Sequence, residues 1–149
     1  MSNLVVVDAS LAIKWVLNEP DSDRALALLN QWNANKVVMI APSLLSFEVS
    51  NAFYKNYLRG KLTFTQAKEA IQEVLSLGIE LEFSETPDLH HEAIVLSERY
   101  KLPATYDAHY LALAERENCE LWTADLRFWN AIKHHINWVH MVGDYEMTN

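Results

Sequence analysis

Leu4 to Val7 form an unbroken run of branched aliphatic residues, and at Asp8 the pattern changes to helical spacing, with Leu11, Ala12, Trp15 and Val16 on one stripe. A short continuous apolar run suits a strand buried on both faces. Strand-like runs are read at residues 5–7, 37–40, 79–83, 120–122 and 138–142. Between them lie helical patterns. Residues 21–32 place Ala25, Leu26, Leu29 and Trp32 on one stripe. Residues 42–60 run to a stop at Gly60, and residues 63–78 open with a Thr63-x-x-Gln66 capping-box pattern and stop at Gly78. Residues 87–103, 107–118 and 125–135 give three more. Strands that alternate with helices require right-handed crossovers, so the fold class is α/β, a largely parallel sheet with helices on both faces. No linker, repeat or low-complexity segment interrupts residues 1–149, which are read as a single domain.

Half the residues are hydrophobic, and only three are glycine and four proline, which fits a packed core rather than a disordered or fibrous chain. No apolar run approaches the length of a membrane span, and no signal peptide is read at the N-terminus. Cys119 is the only cysteine, so an intramolecular disulfide is impossible and a cytoplasmic location is expected. The net charge of −8 argues against gripping nucleic acid by bulk charge.

In open parallel sheets, ligands bind outside the carboxyl ends of the strands. Asp8 sits at such an end. "CELWTADLRFW" repeats the arrangement, with Asp125 after a short strand as a helix begins. "LPATYDAHYLALA" puts Asp107 in the first turn of a helix. Each of these three acids has an ordinary explanation as a helix cap or as a charge favoured by the helix dipole. For Glu48 an ordinary explanation is weaker, because "APSLLSFEVSNAF" places it on one face with Leu44, Leu45 and Ala52, and what the separate explanations leave uncovered is the joint placement of all four. Four acids at one side of a sheet would repel one another, and some would take up protons. A hard divalent cation removes that conflict. Carboxylates without a matching His/Cys set suggest Mg²⁺, or Mn²⁺, rather than zinc.

The segments "VVVDASLAIKW", "PSLLSFEVSNAF", "TYDAHYLALA" and "LWTADLRFW" resemble, in order and spacing, the successive motifs of the PIN-domain nucleases. They are most similar to the VapC-type toxins of bacterial toxin–antitoxin pairs. The resemblance covers essentially the whole chain. It implies strand order 3-2-1-4-5 and a Mg²⁺-dependent endoribonuclease whose catalytic and metal-holding acids are Asp8, Glu48, Asp107 and Asp125. Ser10 and Thr123 match the family's small hydroxyl residues beside the first and last acids, and Asn51 is a polar neighbour one turn beyond Glu48. The resemblance further implies an RNA substrate, a homodimer and a VapB-type antitoxin. The negative charge of this chain suggests that the antitoxin's C-terminal segment is basic.

Lys55 and Arg59 follow Glu48 at +7 and +11 on nearly the same helix face and, with Lys14 and Lys61, are candidates for an RNA phosphate track. The six histidines are read as surface or core residues, since the adjacent pairs His90–His91 and His134–His135 point to different helix faces and His109 faces away from Asp107. Trp32 is taken as an interface residue. Two alternatives stand beside the toxin reading. One is a PIN-domain nuclease without an antitoxin. The other is a Mg²⁺-binding phospho-receiver module, which would need a second acid on the first strand and a lysine on the last, and neither is present.

Overall fold

The structure, a computed structural model, describes residues 3–82 and 87–148. Five strands form one sheet: β1 Leu4–Val7, β2 Val38–Pro42, β3 Glu80–Glu82, β4 Glu120–Thr123 and β5 Val139–Met141. Every pairing is parallel and the order is β3-β2-β1-β4-β5, the order the family resemblance implies. β1 is the central strand, with Val6 opposite Ile40 on one side and Leu121 on the other. Its aliphatic run follows from that position, since Val6 and Val7 are 0% exposed. β2 extends to Pro42, which has no N–H to give a ladder and so suits the last position before the chain turns into a helix. Phe83, read as the end of the third strand, lies outside the described residues.

The helices are α1 Ala9–Val16, α2 Ser22–Ala34, α3 Leu44–Leu58, α4 Phe64–Leu75, α5 Pro87–Tyr100, α6 Tyr106–Glu117 and α7 Leu126–Ile132. The capping box that opens α4 forms as expected: Thr63 Oγ1 accepts from Gln66 N at 3.0 Å and Gln66 Oε1 accepts from Thr63 N at 2.9 Å. α6 packs on β1 and β2, α5 packs on α6, and α3 packs against α1 and α4.

Two expectations for α2 are corrected. Leu26 is 44% exposed, and Leu28 takes the inward place, because Ala25, Leu28, Leu29 and Trp32 follow the i, i+3, i+4, i+7 stripe and Leu26 lies off it. Trp32 is a core residue and not an interface residue. It is buried edge-on between Trp15 at 6.2 Å and Trp122 at 6.1 Å, an arrangement that suits aromatic quadrupoles.

The chain steps outward from β1 through β2 to β3, then returns to the opposite side of β1 for β4 and β5. The order therefore reverses between β1 and β4. In open α/β sheets the carboxyl ends of two such strands are where ligands bind.

Candidate active site

Asp8 follows directly on β1, and its backbone N–H continues the ladder to the Trp122 carbonyl at 3.4 Å. Its side chain is 4% exposed. Oδ1 accepts from the Leu11 N–H at 3.0 Å, so Asp8 does cap α1. Capping alone does not explain its other contacts. Ser10 Oγ donates to Oδ1 at 2.7 Å, and Thr123 Oγ1 donates to Oδ2. The same hydroxyls accept from the loop after β4: Ser10 from Ala124 N at 2.9 Å and Thr123 from Asp125 N at 3.0 Å. Two small hydroxyl side chains thus tie the ends of β1 and β4 together around one carboxylate.

Asp125 caps α7 through Oδ1, which accepts from Arg127 N at 2.9 Å and Phe128 N at 3.2 Å. Asp107 is the second residue of α6, a helix whose start carries no side-chain cap bond. Glu48, in the second turn of α3, accepts from the Tyr110 hydroxyl at 2.6 Å. Tyr110 is 1% exposed and stands three residues after Asp107, on the same side of α6.

Asp8, Glu48 and Asp107 each sense the charge of neighbouring acids. Burial raises the Asp8 carboxyl from 3.8 to about 6, against the lowering effect of its three hydrogen bonds, and the Asp125 charge raises it further. Burial also raises Asp107 to about 6, with the charges of Asp8 and Asp125 adding to the effect. Glu48 is raised by burial, offset by the Tyr110 hydrogen bond and reinforced by Asp107 and Asp125. Burial and neighbouring negative charge together therefore disfavour the ionised forms of Asp8, Glu48 and Asp107. That is the electrostatic condition a cation relieves.

The donor chemistry fits a hard cation that keeps much of its water. Oδ1 of Asp8 already accepts two hydrogen bonds and Oδ2 one, which leaves one lone pair on Oδ2. Asp125 accepts its two cap bonds on Oδ1 and none on Oδ2. Among the described residues no three His, Cys, Asp or Glu side chains form a group able to hold a metal ion. Mg²⁺ is commonly held by one or two carboxylates plus waters, so this spread of acids suits it.

The remaining candidate residues fall in different places. Asn51 is exposed on α3 and makes no side-chain hydrogen bond among the described residues. Lys14 is held by the Pro20 carbonyl at 2.8 Å and lies 3.9 Å from Glu19, so its charge is already engaged. Lys55, Arg59 and Lys61 are exposed at and beyond the far end of α3. Tyr110 joins the site without having been marked by any motif. Its signal in the chain is its place at Asp107 +3, a hydroxyl-bearing aromatic inside the apolar run "HYLALA". The pairing of His109 with His90, 2.9 Å apart, has no signal in the chain at all, since it needs the packing of α5 on α6.

Comparison with known proteins settles the family. A model of the PIN domain matches residues 5–133. The chain belongs to the PIN domain family. This PIN domain is 30% identical over 128 residues to Ribonuclease VapC9 of Mycobacterium tuberculosis, covering 83% of this chain and 87% of that protein. It is 29% identical over 126 residues to Ribonuclease VapC3 of Pyrobaculum aerophilum, covering 81% of this chain and 88% of that one. Among solved structures it shares its fold with a toxin–antitoxin complex from Klebsiella pneumoniae, with a TM-score of 0.65, 17% identity and coverage of 93% and 97% of the two chains. A second is M. tuberculosis VapC20, described as a sarcin–ricin loop cleaving toxin, with a TM-score of 0.62, 18% identity and coverage of 86% and 95%. The phospho-receiver reading falls away, since the doubly wound receiver order is 2-1-3-4-5 and this PIN domain has 3-2-1-4-5.

Proposed function

We propose that this chain is a divalent-cation-dependent endoribonuclease and the toxin of a VapBC-type pair. The observation that carries the reading is a set of four carboxylates, each from a PIN-like motif, of which Asp8, Glu48 and Asp107 are raised by burial and by the charge of neighbouring acids. Names of relatives that are ribonucleases support the activity, and the fold shared with a toxin–antitoxin complex is consistent with a partner.

In this reading Asp8, Asp107 and Asp125 hold Mg²⁺ or Mn²⁺ directly or through water. A bound ion lowers the pKa of a coordinated water toward neutrality and offsets charge on the scissile phosphate. Ser10 and Thr123 fix the Asp8 carboxylate and leave one lone pair of Oδ2 open. Glu48, oriented by Tyr110, positions the attacking water. Lys55 and Arg59 steer RNA phosphates along α3, which compensates locally for a net charge of −8. The antitoxin brings a basic C-terminal segment, whose arginine pairs with two of the acids in place of the ion. The working form is a homodimer in the cytoplasm.

The test is incubation of purified, antitoxin-free protein with a mixed RNA pool, with and without Mg²⁺. Cleavage at defined sites only with the ion is expected, and an intact pool under both conditions would refute a ribonuclease. Tyr110→Phe tests the support of Glu48. It removes one hydrogen bond and should cost about 1 kcal/mol of stability. It should lower kcat about 10- to 100-fold, the usual effect of losing a partner that orients a metal-site ligand. Wild-type kcat in a folded variant would remove Tyr110 from the site.

A further inference from the structure

A pocket of about 230 Å³, whose walls the proposed chemistry does not use, lies among the ends of β2 and β3, the start of α3, and α5 and α6. Phe47 and Tyr106 line it and are 71% and 59% exposed, an unusual state for large aromatic side chains. Each immediately precedes a site acid, Phe47 before Glu48 and Tyr106 before Asp107. Leu44 and Leu89 complete the apolar wall, while His90, His109 and Glu82 also line it. We infer that this pocket receives one unstacked base of the RNA next to the scissile phosphate, held on Phe47 and Tyr106. The inference rests on the ribonuclease reading and names the base subsite of that same site.

Three observations favour a nucleobase. Leu44 and Phe47 of its wall share the first two turns of α3 with Glu48, and Tyr106 and His109 flank Asp107 on α6, so the pocket and these two acids are built on the same helix ends. Its volume is below the range of about 300–1,000 Å³ usual for drug-sized ligands, which suits a single ring system. An acidic protein gains little from bulk phosphate attraction, whereas stacking draws on neutral faces and is insensitive to that charge.

The test uses the full chain carrying Asp8→Asn, so that RNA is bound without being cut. Its probes are short single-stranded RNAs carrying 2-aminopurine, whose fluorescence falls on stacking. Quenching is expected on binding. Phe47→Ala and Tyr106→Ala should each weaken binding about 5- to 100-fold at unchanged oligomeric state, and Phe47→Trp should restore it. Unchanged affinity in both alanine variants would overturn the assignment. So would loss of self-association together with loss of binding, which would give this face to a second copy of the chain. If the wild type cuts RNA while the alanine variants cut and bind as well as it does, the pocket fails and the ribonuclease reading stands. If the wild type cuts no RNA and the Asp8→Asn chain binds none, both fail.

Discussion

Replacing Asp8 by asparagine is expected to lower RNA cleavage by on the order of 10³-fold or more while leaving the protein folded. Asparagine keeps the shape and can still accept the Leu11 N–H that begins α1. What it loses is the charge that would hold a cation. The same change should stabilise the protein in chelator at pH 7.5. The Asp8 carboxyl ionises near 3.8 in the unfolded chain and near 6 in the folded one. Between those values the folded state holds the proton more tightly, so the stability contribution of this group falls as pH rises from about 4 to about 6 and is constant above. Each pH unit between the two ionisation points corresponds to about 1.4 kcal/mol, so removing the buried charge is worth up to about 3 kcal/mol. Melting curves of wild type and variant in EDTA at pH 5 and pH 7.5 measure this. The wild type should melt lower at pH 7.5 than at pH 5, with about 1.4 kcal/mol of the loss coming from Asp8, and the difference should shrink by that amount in the variant. Mg²⁺ added at pH 7.5 should raise the wild-type melting temperature. A folded variant with full activity would remove Asp8 from the site. A variant that loses more stability than activity would reduce Asp8 to a helix cap.

The second large effect concerns the products. Chelation by EDTA should abolish cleavage, and the fragments made with Mg²⁺ should carry 5′-phosphate and 3′-hydroxyl ends. The carboxylates can orient a water for direct attack on phosphorus, with the 3′ oxygen leaving, and this route does not use the neighbouring 2′-OH. A 2′-deoxy substitution at the cleaved nucleotide should therefore be tolerated. A histidine-based ribonuclease would instead use the 2′-OH as nucleophile and leave a cyclic phosphate. The structure commits His109 to other bonds, with one ring nitrogen at the Thr105 carbonyl and the other at His90. Mapping both ends of the cleaved RNA decides between the routes. Cyclic phosphate ends, or full activity in chelator, would return the histidines to the chemistry.

Part of this site is legible in the chain because its logic is local. A buried strand reads as an apolar run, a helix start reads as Asp8 or Asp125 followed by helical spacing, and the Thr63–Gln66 box satisfies its own backbone. Such features depend on neighbours a few residues away. Glu48 is legible for a related reason, since a carboxylate on an apolar stripe of α3 is costly without a partner. The α2 stripe is ambiguous at Leu26 because two overlapping apolar stripes fit the same residues, and only the sheet decides which faces inward.

The sequence by itself determined an α/β alternation, four acids at strand ends or early helix turns, and an acidic chain with one cysteine. These follow from periodicity, capping and composition, which act over a turn or a strand. The tertiary structure decided what those acids do to one another. Only the parallel pairing of β1 with β4 brings Thr123 to Asp8 across 115 residues of chain, and only the approach of α6 to α3 brings the Tyr110 hydroxyl to Glu48 across 62. Desolvation and charge coupling arise from that approach, because each depends on distance in space and on the exclusion of water by residues far apart in the chain. The same holds for Trp32, whose burial depends on Trp122 from β4, and for His90 and His109, which meet because α5 packs on α6.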